Sequence, residues 1–199
     1  MDNRVYSGKL TGESFLLYEL KIVAKLKKEG YTDKEIRKMV LEENLFQYKF
    51  TSSISRRLTP LMQRINLLDE ELIDRLIEDP LGDGIVINLY SIMKNDRLFF
   101  EFMNEVMKEK LKSNNEVLEK KDINIFIETK IEQNEDIASW SDSTVNKIKQ
   151  VIKKILMEAK VVEDNKTGIV KKIIMSDWIK NYLIKSGEEK YILAMGERV

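Results

Sequence analysis

The chain is 199 residues long and carries 34 Lys and Arg against 34 Asp and Glu, with no His and no Cys. That excludes thiol nucleophiles, disulfide scaffolds, zinc fingers and His-based triads or metal sites, and leaves acid–base catalysis near neutral pH to a shifted carboxylate or lysine. With 43% apolar residues, 34% charged residues and only 2 Pro, the composition predicts a mainly helical protein with an ample core and no cofactor.

The N-terminal sequence MDNRVYSGKL has no apolar signal-peptide stretch. The longest charge-free apolar run, Gly84 to Met93, falls short of the roughly 20 residues of a membrane helix. A cytoplasmic, membrane-free protein is expected.

Residues 13–29 place Phe15, Ile22, Val23 and Leu26 on one predicted helical face that stops at Gly30. Thr32-Asp33-Lys34-Glu35 fits a capping box opening a helix to about Glu43, with Ile36, Met39 and Val40 inward. A third helix is predicted from about Ser52, where Ile54, Leu58, Leu61, Ile65 and Leu68 form one apolar stripe. Pro60 either kinks it or stands at the first position of a new helix capped by Thr59. Asp69 can cap a short helix ending at Asp79-Pro80, followed by helices near 84–94 and 96–112. The second of these buries Leu98, Phe99, Phe102, Val106 and Met107.

The polar run Lys112 to Lys121 reads as a linker. Beyond it come a predicted helix at 123–134, a loop through Trp140, and a helix at 142–158 capped by Ser141. Its apolar positions are Val145, Ile148, Ile152, Ile155 and Leu156. Val161-Val162 and Ile169 to Ile174 are β-branched runs separated by a turn rich in Asp, Asn and Gly, the pattern of a β-hairpin. Ser176 caps a last helix at 177–186. This order predicts a C-terminal winged-helix-like domain at 122–199, a linker at 113–121 and a helical N-terminal domain at 1–112 with a helix-turn-helix-like element.

The zero net charge hides segregation. Residues 20–66 hold 11 Lys and Arg against 5 Asp and Glu, residues 67–110 hold 5 against 11, and residues 141–175 hold 8 against 4. On the helix 142–158, stepping about 100° per residue gathers Ser143, Asn146, Lys147, Lys149, Gln150, Lys153 and Lys154 opposite the apolar half. Lys suits phosphates and amide side chains suit base edges, so this face fits a groove-entering helix. Lys166, Lys171 and Lys172 of the hairpin would reach an adjacent phosphate. In the N-terminal half Arg56, Arg57 and Arg64 are candidate contacts. The competing arrangement there is a helical bundle whose Arg residues pair with the acidic segment 67–110.

Asp122 and Glu128-Thr129-Lys130 echo a metal-nuclease pattern, but that pattern needs adjacent strands, and here the residues fall in a predicted helix. No phosphate loop or dinucleotide fingerprint is present. Stacking aromatics for RNA are sparse, with only Tyr48 and Phe50 near the N-terminal basic helix.

Tyr6-Ser7-Gly8 with Leu10, Arg56-Arg57-Leu58, Arg64-Ile65, the run Trp140-Ser141-Asp142-Ser143-Thr144-Val145-Asn146-Lys147 and Leu156-Met157-Glu158-Ala159 together resemble the BrxA family of bacteriophage-exclusion (BREX) defence systems. The resemblance spans nearly the whole chain. It implies a non-enzymatic, largely helical protein that binds duplex DNA and acts beside a BREX methyltransferase, an ATPase and a phosphatase-like protein. Pro60 departs from a straight recognition helix. The rival expectation is an adaptor that docks other BREX subunits without functional DNA contact.

Overall fold

The computed structural model describes residues 4–79, 82–113 and 116–199. The chain is mainly helical and divides into two compact units. One is Gly12–Asn95; the other combines the described residues up to Thr11 with Asp96–Val199.

In the unit Gly12–Asn95, α1 (Leu17–Lys28), α2 (Asp33–Glu42), α3 (Thr51–Ile65), α4 (Glu70–Glu78) and α5 (Asp83–Asn95) follow one another. The predicted caps form. Thr32 Oγ1 accepts from the Glu35 N–H at 3.4 Å while Glu35 accepts from the Thr32 N–H at 2.8 Å, and Asp69 accepts from the Leu72 N–H at 3.0 Å. The α3 stripe Ile54, Leu58, Leu61, Ile65 is buried and packs against α1, α2 and α5. Pro60 lies inside α3, which continues through it, so Thr59 opens no new helix. Pro80, the expected stop of α4, lies outside the described residues; Asp79 already leaves the helix in a left-handed conformation.

In the other unit, α6 (Arg97–Phe102), a π-helical segment (Met103–Met107) and α7 (Lys108–Lys112) bury Leu98, Phe99, Phe102 and Met107 of the side expected for 96–112, while Val106 is only half-buried. Phe102 meets Phe126 of α8 (Lys120–Gln133) edge to face at 5.2 Å. That contact is why 97–112 belongs with the C-terminal residues, while the expected boundary fell at 113–121. Asn114 and Asn115 of that linker lie outside the described residues. The helix α8 starts three residues earlier than periodicity suggested, because Glu119 and Asp122 form a capping box. A short α9 (Glu135–Ala138) and then α10 (Asp142–Glu158) follow, with α11 (Asp177–Lys185) and α12 (Glu189–Ala194) closing the chain.

Among the described residues, β pairing is confined to two isolated antiparallel bridges, Val117 with Ile169 and Val162 with Val170. The run Ile169 to Ile174 pairs only at its start, and Ile174 is 83% exposed. Residues 4–11 are tied into this unit by Tyr6, whose hydroxyl donates to Glu101 at 2.7 Å, and by the fully buried Leu10. Arg97 stands 4.0 Å over the Tyr6 ring, and both Arg97 and Lys130 pair with Glu101 at 2.8 Å. Burial alone would raise the Glu101 carboxyl, but hydrogen bonds from Lys130, Tyr6 and Arg97 together hold it below the usual range.

Candidate nucleic-acid interface

The helix α10 begins where Ser141 accepts from the Thr144 N–H at 3.3 Å, so its register is fixed at the first turn. Ile148, Val151, Ile152, Ile155 and Leu156 are buried, which turns the opposite half outward. Ser143, Asn146, Lys147, Gln150 and Lys154 are exposed, and Lys149 and Lys153 are half-buried. The expected polar face is therefore a surface of the folded protein.

Two grooves meet on this surface. Asn146, Lys149, Gln150 and Lys153 of α10 line the first, of about 440 Å³, with Lys120 and Asn124 of α8. The second, of about 630 Å³, runs from residues 117–121 past Lys153 to residues 165–168. Lys120 and Lys153 line both, so basic side chains run continuously from α10 to the turn. Lys153 Nζ donates to the Asn165 carbonyl at 3.4 Å.

The turn is internally braced. Asp164 Oδ1 accepts from the N–H groups of Lys166 at 2.6 Å and Thr167 at 2.8 Å, and these bonds hold its carboxyl below the usual range. Gly168 has φ +65°, and a Cβ there would stand 2.6 Å from the Leu118 carbonyl. Only glycine lets residues 116–118 lie against the turn, where Leu118 N–H donates to Gly168 O and Val170 N–H to Glu116 O, both at 2.9 Å.

Charge pairing sorts the predicted Lys residues. Lys154 pairs with Glu158 at 3.5 Å and Lys171 with Glu163 at 3.0 Å. Lys147, Lys149, Lys166 and Lys172 have no carboxylate within 4.0 Å among the described residues, and nor does Lys120. Lys120 falls within the expected linker, so its sequence position does not mark it as a contact. The signal was the pair Lys120-Lys121 one step after a Glu119 cap.

In the unit Gly12–Asn95 the three predicted arginines part. Arg56 is exposed, and Arg57 is half-buried with its guanidinium 5.4 Å from the Tyr48 ring centre. Arg64 is corrected: its side chain is 0% exposed and out of reach of any phosphate. It donates to the carbonyls of Ser14 and Phe15 at 3.0 Å and to Asn88 at 2.9 Å, and it pairs with Glu13 at 3.0 Å. Arg57 and Arg64 share a helical face, but only the C-terminal end of that face is covered.

The expected pairing of the Arg residues with the acidic segment 67–110 does not form among the described residues; two lysines of α1 meet that segment instead, and Lys27 meets α2. Lys28 pairs with Asp74 at 2.7 Å, Lys21 with Asp79, and Lys27 with Asp33 at 2.9 Å. Arg37 donates to Thr59 Oγ1 at 3.4 Å and, like Arg56 and Arg57, has no carboxylate within 4.0 Å among the described residues. The nuclease-like residues do not converge. Asp122 pairs with Lys110 at 3.1 Å, and Lys130 is buried between Glu101 and Glu105. Among the described residues no three carboxylates group as a metal site, and no helix is long and apolar enough to cross a membrane.

Comparison with known proteins gives a consistent result. The family model described as BrxA matches residues 4–187. A protein from Bacillus cereus (strain H3081.97) named BREX protein BrxA is 39% identical over 163 residues, 82% of each chain. One of the same name from Paramagnetospirillum magneticum (strain ATCC 700264 / AMB-1) is 24% identical over 188 residues, 94% of each chain. The crystal structure of an uncharacterized protein from Magnetospirillum magneticum superposes with a TM-score of 0.81 at 24% identity. It covers 96% of this chain and 97% of its own, which shows a common fold.

Proposed function

The chain belongs to the BrxA family, and on that premise we propose that it is a non-catalytic DNA-binding accessory protein of BREX phage defence that holds duplex DNA chiefly through α10. The carrying observation is the unbroken line of basic and amide side chains from Asn146, Lys149, Gln150 and Lys153 across Lys120 to Lys166. Lys supplies phosphate contacts, while Asn146 and Gln150 can read base edges.

The order of elements supports a winged-helix reading. Residues 116–118 pair with 168–170, α8 and α10 follow the first of these segments, and 161–163 pair with 169–171 through Glu163 N–H to Ile169 O at 2.9 Å and Lys171 N–H to Val161 O at 2.8 Å. The turn 164–168 would then be the wing on the DNA backbone. The pair α2 and α3 offers a second, weaker contact of helix-turn-helix type through Arg37, Arg56 and Arg57.

The alternative, an adaptor that docks other BREX subunits, is favoured by one feature. Glu105, Glu109, Glu116 and Asp122 line a groove of about 510 Å³ around Ile125, which is 58% exposed. This groove lies along the α7 side of α8, away from the residues that face α10.

Titration of a labelled duplex against the purified protein at rising salt tests the proposal. Five lysines on phosphates, Lys120, Lys147, Lys149, Lys153 and Lys166, give a log–log salt slope of about −4 to −5. Absence of binding at low salt would leave the adaptor reading in its place.

A further inference from the structure

The loop between α2 and α3 is built to hold a side chain out into solvent. Asn44 and Gln47 both adopt positive φ, at 49° and 56°. Asn44 clamps the loop through its side chain, donating to the Tyr48 carbonyl at 2.9 Å and accepting from the Tyr48 N–H at 3.0 Å. Phe46 is 3% exposed and anchors the loop from below, with the Tyr48 ring 5.6 Å away. The Tyr48 hydroxyl donates to Glu19.

On that scaffold Phe50 is 62% exposed. It occupies the N-cap position of α3 in extended backbone, with φ −124° and ψ 124°. Lys49 Nζ stands 5.5 Å from its ring centre, and Arg57 borders the neighbouring Tyr48 ring. Directly after Phe50 the exposed stripe of α3 carries Ser52, Arg56, Thr59 and Gln63. No acidic residue occurs from Asn44 to Leu68. An exposed ring beside Lys49, on a braced loop whose one acidic residue, Glu43, stands at its far end, is the arrangement by which single strands are held: bases stack on the aromatic face while Lys and Arg follow the phosphates.

We propose that Phe50, flanked by Lys49 and leading into Arg56, is a stacking platform for an unpaired base, so that the unit Gly12–Asn95 takes the unpaired strand at a fork, flap or end of a DNA duplex. This rests on the reading of the chain as a DNA binder and adds a structure preference that α10 does not provide. A cationic aromatic surface could instead meet a protein; such a surface would be indifferent to unpaired DNA.

The test is fluorescence anisotropy with two labelled DNAs, a blunt duplex and the same duplex bearing an oligo-dT overhang. Wild type is predicted to bind the overhang form more tightly. Phe50→Ala should remove that gain, weakening overhang binding by about five- to a hundred-fold, the range covered by stacking one base, with blunt binding unchanged. Phe50→Trp should retain the gain. An overhang that gives no gain, or a gain that survives Phe50→Ala, overturns the inference. Failure to bind either DNA sinks the α10 interface as well. A Phe50-dependent gain without blunt binding sinks the α10 interface alone.

Discussion

Arg64 Nη2 lies 3.0 Å from Glu13 Oε2, and both side chains are sealed from solvent. Burial pushes the Glu13 carboxyl up and the Arg64 guanidinium down, and each charge opposes the shift of the other. The pair therefore persists only as long as both members stay. Arg64→Met leaves Glu13 buried without its counter-charge and should cost about 3–5 kcal/mol of stability. Urea unfolding measures this. An unchanged midpoint together with weakened DNA binding would return Arg64 to the interface.

Glu101 joins Tyr6, Arg97 and Lys130, and its carboxyl is held below the usual range. Its folded-state pKa lies below the unfolded value, so its contribution to stability is full above about pH 4.3, the unfolded value, and drains away as pH falls through the folded one. Thermal unfolding measured down the acid limb should show wild type losing stability there. Glu101→Gln should be less stable at neutral pH and flatter in acid. Parallel acid limbs for the two proteins would contradict this.

Gly168 adopts φ +65° with the Leu118 carbonyl where a Cβ would stand. Gly168→Ala should cost at least about 1–2 kcal/mol from the left-handed backbone alone. It should also displace Lys166 and weaken duplex binding while α10 remains helical. Equal affinity and equal melting temperature to wild type would show that the turn does not position this contact.

Lys120 lines both grooves and has no carboxylate partner among the described residues. Lys120→Glu should lower duplex affinity and reduce the steepness of the salt slope by about one unit. Lys172→Glu, outside both grooves, should have the smaller effect. The reverse order would move the DNA path off the α8 side of α10.

Local chemistry was legible in the sequence. Thr32, Asp69, Ser141 and Ser176 cap the helices they were expected to cap, because a cap is settled within four residues. The apolar half of α10 also followed from periodicity, except that Val145 is only half-buried and Val151 joins the buried set. What depends on distant partners was not legible. Arg64 reads as a surface cation by spacing, and only Glu13, Ser14, Phe15 and Asn88, from 24 to about 50 positions away, turn it into a core residue. The polar stretch after residues 97–112 looks like a boundary, whereas Phe102 meets Phe126 across it. Lys120 was hidden in that same stretch.

The lysine face of α10 is the proposed seat of duplex DNA. Replacing Lys147, Lys149, Lys153 and Lys154 together by Glu tests it most directly, with a gel shift at low salt and circular dichroism on the same preparation. Loss of the shifted duplex with an unchanged helical signal is the expected outcome. A variant that still shifts the duplex as wild type does would place the DNA elsewhere on the protein.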